Sequence, residues 1–357
     1  MVRRVEIVVR VGLVAVGIAV VVWVLDAAIR TFVLPRGSAV RLTRWIATVN
    51  TRVFRMIGRE AHSYERRDKV MALYGPITLL TLPAVWLAMI LVAFAAIFVG
   101  VDDVAVGTAT RYSGSALFTL GFMTSETNPA VAVVFVESAI GLALLALLIS
   151  YLPTIYSSFS KREVAVTRLS VRAGTPPTAA ELLLRAHRAQ FSDRLDELFE
   201  EWEVWFVELE ETHTSLVILN FFRSPNPDRS WVTAAGAVLD TAALRLAAIE
   251  SAWSASAAVC IRSGFTSLRA IANYFGVEHN PEPQPDDPIS ITRAEFDEVL
   301  DEFTAEGMRV VQDRDQAWRD FQGWRVNYDT VLLALANLTM APYAPWSSDR
   351  SPVIVAH

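Results

Sequence analysis

Three stretches of this chain are apolar and long enough to cross a lipid bilayer as helices. They are residues 7–25, 77–99 and 131–152, and a helix needs about 20 apolar residues to span the hydrocarbon core. Because hydrocarbon offers no hydrogen-bond partners, such a stretch must satisfy its backbone internally, which a helix does. We therefore predict an all-α membrane protein with three transmembrane helices.

The first apolar stretch follows Arg3 and Arg4, a beginning that it shares with secretory signals. Its apolar part is long for a signal, and residues 25–29 form a poor cleavage site. We therefore expect a retained transmembrane helix over residues 1–30.

The second half of the chain differs from the first in charge. Residues 161–357 carry 18 basic and 29 acidic side chains, against 14 and 9 in residues 1–160. This acidic balance disfavours nucleic acid as a partner. The only cysteine, Cys260, excludes an internal disulfide and suits a reducing cytoplasm. We expect an acidic cytoplasmic domain, and the lack of strand-type alternation makes it all-α.

Helical periodicity and turn residues divide this domain further. Residues 178–211 and 230–254 predict amphipathic and core helices, and Thr292 with Glu295 has the spacing of a capping box. A break is expected near Gly307 or Gly323. The predicted segments are a helical domain over 161–278, a proline-rich acidic linker over 279–291, helices over 292–341 and a loose tail over 342–357.

The distribution of basic residues predicts the topology. Residues 26–75 contain ten Lys or Arg and four acids, whereas residues 100–130 contain one Arg and three acids. The positive-inside rule then puts 26–75 and the acidic domain in the cytoplasm, and 100–130 outside. We predict a multi-pass protein of the cell membrane. Arg3 and Arg4 fall outside against the rule, outweighed by the ten charges.

Residues 31–72 form a basic amphipathic segment. Apolar residues recur at helical spacing between arginines; they are Leu42, Ile46, Val49, Val53 and Ile57. Such a helix can lie on the inner leaflet with membrane lipid as its partner. It can equally pack on the protein's own cytoplasmic domain.

Residues 112–123 lie between the second and third spans and are too few to cross a membrane. Residues 112–119 predict a short helix, and Ser113, Ser115 and Thr119 offer hydroxyls to backbone groups that the helix leaves free. Gly121 can turn consecutive carbonyls to one side. Irregular backbone at membrane depth is tolerated where protein buries it or water reaches it, so this segment predicts a lined pathway.

The sequence Thr119-Leu120-Gly121-Phe122 resembles the Thr-Val-Gly-Tyr stretch of potassium-channel filters. Residues 73–160 are similar to the pore domain of that superfamily, with outer helix 77–99, pore helix 112–119, filter-like strip 119–123 and inner helix 131–152. The resemblance implies a homotetramer in which four loops coordinate a transported cation, which in that superfamily is potassium, with no other cofactor. Thr119 would coordinate through hydroxyl and carbonyl, Leu120, Gly121 and Phe122 through carbonyls, and Phe122 would also brace the filter.

The strip departs from this pattern at Met123, which stands where the family has its second filter glycine. If that position needs a positive φ, Met123 is strained, since residues other than glycine seldom adopt it. The alternative function is therefore a non-conducting, membrane-anchored interaction protein with a vestigial loop. A membrane enzyme is a third and weaker hypothesis.

Three residues of the third span are candidates for gating. Gly141 fits either a hinge or close helix packing, and Pro153 either kinks the helix or marks its end. Glu137 is an acid inside the membrane, where ionisable side chains tend to be functional. It either faces the ion path or braces the loop through Ser138, Thr119 or a serine of the pore helix.

Enzyme chemistry lacks support in the sequence. The five histidines have no metal-ligand spacing, Cys260 has no histidine close to it in sequence, and no glycine-rich phosphate loop occurs. We therefore predict no catalytic residue and no metal site. His213 and Arg223 flank an apolar stretch and form either a ligand pocket or, as we favour, part of the core. The partner of the cytoplasmic domain is not indicated.

Overall fold

The computed structural model describes residues 2–32, 41–59 and 69–351, and the regular structure in these ranges is helical. Within them, the one strand-like contact is an isolated bridge between Ile249 and Val310. The all-α expectation is therefore confirmed for the described residues. The chain divides into two compact units, one ending at Ser157 and the other beginning at Ser158.

Among the described residues, the structure gives the bounds of the following helices that begin in the first unit. They are α1 (Val2–Phe32), α2 (Arg41–Arg59), α3 (Tyr74–Asp102), α4 (Val106–Leu117) and α5 (Asn128–Ala173). In the described ranges, three helices are long and apolar enough to cross a membrane, namely α1, α3 and α5. They contain the three apolar stretches of the sequence.

Helices α1 and α3 are antiparallel and approach each other closely at two glycines. A Cβ atom on Gly17 would lie 2.7 Å from the Ala93 carbonyl oxygen, and one on Gly100 would lie 2.7 Å from the Arg10 carbonyl oxygen. Close helix packing through small residues is common in membrane proteins. The Arg10 side chain also donates to the Gly100 carbonyl at 3.1 Å and pairs with Asp103 at 3.1 Å. The beginning of α1 therefore lies beside the end of α3.

Helix α2 packs against α3. Leu42 and Ile46 are buried, and Asn50 donates a hydrogen bond of 3.3 Å to Thr78 of α3. The later part of the expected apolar stripe is exposed, together with Trp45 and Met56; its residues are Val49, Val53 and Ile57. Protein thus covers only the first half of the stripe. The covering helix is α3, whereas the sequence indicated the inner leaflet or the cytoplasmic domain.

The second unit is a helical bundle. It contains α6 (Ala179–Arg188), α7 (Leu195–Ser215), α8 (Trp231–Ala247), α9 (Ala255–Phe275), α10 (Arg293–Ala305), α11 (Arg314–Arg325) and α12 (Asp329–Thr339), with 3-10 helices at Ser192–Arg194 and Val217–Phe221. All but two residues of α8 are buried. The prediction that this Ala- and Leu-rich segment forms the core is therefore confirmed for Trp231–Ala247, whereas residues 250–253, which it also included, are exposed and not helical.

A buried ionic cluster connects three elements of the bundle. Arg325 of α11 pairs with Asp240 of α8 and donates to Asp329 of α12 at 2.8 Å. Tyr328 donates to Asp240 at 2.8 Å, and Arg325 donates to the Trp346 carbonyl at 2.6 Å. Buried charges of this kind are tolerated because each one has a partner.

Several expected boundaries differ from the structure. The short helix α4 begins at Val106 rather than at residue 112 and ends before Thr119. Helix α5 continues through Pro153 to Ala173, so this proline does not end it. Proline lacks a backbone N–H, and a membrane helix tolerates this loss where neighbouring groups satisfy the carbonyl that is left free.

Two further outcomes concern the end of the chain. The expected break near Gly307 or Gly323 is confirmed at Gly307, where φ is +77°, while Gly323 lies inside α11 and a further break follows Arg325. The tail is not loose over its described part, since Ala344 and Ser347 are buried. Residues 33–40, 60–68 and 352–357 of the predicted segments lie outside the described residues.

Candidate functional site

The strip 119–123 begins as the C-terminal cap of α4. Thr119 has φ +52°, and its amide donates to the Ala116 carbonyl at 3.0 Å. The Leu120 amide donates to the Ser115 carbonyl at 2.9 Å. This pair of hydrogen bonds around a left-handed residue is the Schellman motif. The start of the strip is thereby fixed to the helix.

Positive φ recurs at Gly121, at +68°, so left-handed residues alternate along the strip. Met123 is not among the residues with positive φ, and its amide donates to the Ser115 hydroxyl at 3.1 Å. The strain considered for Met123 is therefore absent here. Thr119 instead bears the cost of a left-handed conformation without being glycine.

The strip is exposed in the single chain. Leu120 and Phe122 are 62% and 65% exposed, and a Cβ atom on Gly121 would meet nothing within 4 Å. Among the described residues, the side chain of Phe122 consequently does not brace the strip from within its own chain. The backbone of the strip is open to solvent or to another chain.

Hydrogen bonds hold α4 between α3 and α5. The Ser113 hydroxyl lies 2.9 Å from the Leu91 carbonyl oxygen of α3 and 2.5 Å from Oε1 of Glu137 on α5. Ser138 donates to the Ala116 carbonyl at 3.0 Å. Glu137 is fully buried, and its Oε2 has no hydrogen-bond partner among the described residues. The contact that the bracing interpretation of Glu137 needs is present, through Ser113.

Gly141 lies where α5 passes over the end of α4. An added Cβ atom would be 2.2 Å from the Leu117 carbonyl oxygen, which is closer than real Cβ contacts. Helix α5 is continuous at this residue. The geometry accounts for the glycine by close packing, while a hinge role stays a prediction.

A second set of contacts closes the loop at the end of α3, and sequence reasoning missed it. Asp102 accepts hydrogen bonds from Ser125 at 2.6 Å and from Thr127 at 2.7 Å, just before α5 begins. The two hydroxyl residues next to the Asn128 start of a helix were the available signal. These bonds fix both ends of the loop that carries the strip.

His213 and Arg223 do not form a shared pocket. His213 is buried and lies 3.1 Å from Arg162, which can only donate, so its Nε2 is the acceptor and the ring is neutral. Burial and the Arg162 charge lower the pKa of His213 well below its usual value. Arg223 donates to the Met340 carbonyl at 2.7 Å and lines a cavity of about 20 Å³, with room for about one water.

No protein-family model, curated protein or solved structure matches this chain. A function for the strip is therefore proposed from its own geometry and sequence.

Proposed function

We propose that this chain is one subunit of a tetrameric pore-loop cation channel of the cell membrane, with 119–123 as its filter-like strip. The observation that carries the proposal is a strip of exposed residues on a firmly anchored short helix. Left-handed residues alternate at Thr119 and Gly121, and nothing within 4 Å would meet a Cβ on Gly121. A strip of this kind can offer carbonyl oxygens to a cation, most simply potassium.

The anchoring of α4 supports the proposal because a filter needs a rigid support. Ser113 and Ser138 connect α4 to its neighbouring helices, and Asp102 holds the far end of the loop. One strip cannot surround an ion, so the proposal requires several copies around an axis. Apolar side chains that such an assembly can cover are exposed beside the strip and on α5; they are Phe118, Leu120, Phe122, Phe135 and Leu142.

The proposed topology follows from charge and from helix direction. The arginine-rich connection and the acidic second unit lie in the cytoplasm, and the strip opens toward the outside. The contact between Arg10 and Asp103 supports an outside N-terminus, because it puts the beginning of α1 at the end of α3 that bears the loop. The second unit gates or supports the pore.

Met123 favours a second candidate function. Met123 stands where the family that the strip resembles has its second filter glycine. Ion conduction can therefore have been lost while the helices around the loop were kept. The chain would then be a membrane anchor whose helical second unit binds a partner.

Flux through reconstituted vesicles distinguishes the two functions. We expect potassium or thallium uptake by the full chain and its loss in Gly121→Val, because a β-branched residue is strained at φ +68°. Gly107→Val is the matched control: an added Cβ there also meets nothing within 4 Å, and Gly107 is helical rather than left-handed. This control should retain uptake.

The assembly is measured on the same preparations by native mass spectrometry. A tetramer that conducts supports the pore. An intact monomer or dimer, or a tetramer without flux at any voltage, pH or calcium concentration, leaves the anchor as the function.

A further inference from the structure

The two contacts of the Ser113 hydroxyl bear on the protonation of Glu137. The Ser113 oxygen lies within hydrogen-bond distance of two acceptors, the Leu91 carbonyl oxygen at 2.9 Å and Glu137 Oε1 at 2.5 Å. A serine hydroxyl has one hydrogen and a helix carbonyl has none to give. If Ser113 donates to Leu91, the hydrogen in the shorter contact must come from Glu137.

The surroundings of Glu137 also oppose a charge. The residue is 0% exposed, and Oε2 has no hydrogen-bond partner among the described residues. An ionised carboxylate would leave that oxygen unsolvated, and a buried charge without a partner is very costly. A neutral acid leaves only one bare carbonyl oxygen, which is a much smaller penalty.

No opposite charge on the contacting helices offsets this penalty. Helix α3 has no charged side chain between Tyr74 and Asp102, and α5 has none besides Glu137 before Lys161. Helix α4 has Arg111, which is exposed, and Tyr112, whose ring packs edge-on against Phe98. No ion pair to Glu137 occurs in the part of the chain that the structure describes.

We infer that Glu137 is a neutral acid that donates to Ser113, which in turn donates to Leu91, and that loss of this proton releases the loop. The chain of hydrogen bonds fastens α5 to α4 and α4 to α3. Removing the proton leaves the single Ser113 hydrogen for two acceptors, so one of the two hydrogen bonds is lost, and it puts a charge in an apolar core. The idea that this proton regulates a pore rests on the proposed function, whereas the protonation of Glu137 does not depend on it.

Infrared spectroscopy of the full chain in nanodiscs tests the protonation without any flux measurement. We expect the carbonyl band of a protonated carboxylic acid at neutral pH, and its loss in Glu137→Gln. Glu126→Gln, at an exposed glutamate of the same loop, is the control and should keep the band. Ser113→Ala should retain the band but shift it, because the acid loses its acceptor.

Hydrogen exchange tests the release of the loop on wild-type protein. As the pH is raised and the band disappears, we expect the exchange rate over 113–123 to rise about fivefold after correction for its intrinsic pH dependence. This factor corresponds to the loss of about one hydrogen bond. Helix α9 is the internal control and should stay unchanged. Glu137→Gln still has a donor and should remove this pH dependence.

Absence of an acid band that depends on Glu137 overturns the inference, and so does a Gln variant whose loop still opens with pH. An acid band in a protein without ion flux would instead contradict the proposed channel function and still support the protonation of Glu137.

Discussion

The contact between Gly141 and the end of α4 gives a prediction whose size follows from the structure. In Gly141→Ala the new Cβ would lie 2.2 Å from the Leu117 carbonyl oxygen and 3.1 Å from its carbonyl carbon. The helices must separate by about 1 Å to restore van der Waals contact. A backbone carbonyl at a helix end cannot rotate aside as a flexible side chain would.

That separation acts on the hydrogen bonds next to it. Ser138 donates to the Ala116 carbonyl at 3.0 Å, and Glu137 lies 2.5 Å from Ser113, so both contacts lengthen. Overpacking costs about 1–3 kcal/mol, and a lost hydrogen bond adds about 1 kcal/mol. The helix propensity of alanine returns up to about 1 kcal/mol. We expect a net loss of about 1–3 kcal/mol in the local stability of α4.

Hydrogen exchange of α4 peptides in nanodiscs measures this local free energy. Gly12→Ala is the control, because it also adds a methyl group to a spanning helix but meets nothing within 4 Å. It should leave α4 unchanged. If Gly141→Ala protects α4 as well as the wild type does, close packing does not explain this glycine, and a hinge becomes the better account.

Three predictions concern the second unit, each measured by denaturant unfolding of the full chain. Burial lowers the pKa of His213, so below a pH of about 6.5 only the unfolded chain binds a proton at this residue. The free energy of unfolding should therefore fall by about 1.4 kcal/mol for each unit by which the pH is lowered, and His213→Gln should remove that slope. Asp240→Asn leaves Arg325 without one of its buried partners and should cost about 3–5 kcal/mol. Burial acts to raise the pKa of Glu295, but hydrogen bonds from Arg350 and from Thr292 at the helix start outweigh it and lower the pKa to about 2. The stability that ionised Glu295 contributes should therefore be lost as the pH falls from 4.5 to about 2, and this loss should be absent in Glu295→Gln.

Each of these has a matched control on the surface. His187→Gln should keep the pH slope, Asp301→Asn should cost less than about 1 kcal/mol because its pair with Arg314 is exposed, and Glu298→Gln should keep the acid transition. A His213→Gln protein with the wild-type slope, or an Asp240→Asn protein as stable as Asp301→Asn, would contradict the corresponding reasoning.

The sequence predicted best the features that depend on neighbouring residues. Thr292 and Glu295 form the expected capping box, with the Thr292 side chain accepting from the Glu295 amide. The Ala- and Leu-rich helix over 231–247 is buried at all but two of its residues. Both are decided within a few turns of one helix, where the spacing of side chains is enough.

The candidate site was predicted less completely because it depends on residues far apart in the chain. Ser113 reaches Leu91 and Glu137, which lie 22 and 24 residues away. No local pattern chooses Ser113 over Ser138 as the partner of Glu137. The same holds for Met123, which does not have a positive φ and whose amide donates to the Ser115 hydroxyl.

By itself, the sequence determined that this chain is helical, with three helices long and apolar enough to cross a membrane and an acidic bundle after them. Apolar length, periodicity and charge are properties of composition along one segment. Only the tertiary structure decided which groups meet: Ser113 between Leu91 and Glu137, Gly141 on Leu117, and an unpacked Gly121. The physical reason is that a hydrogen bond or a close contact depends on ångström-scale distances between helices, which no single segment encodes.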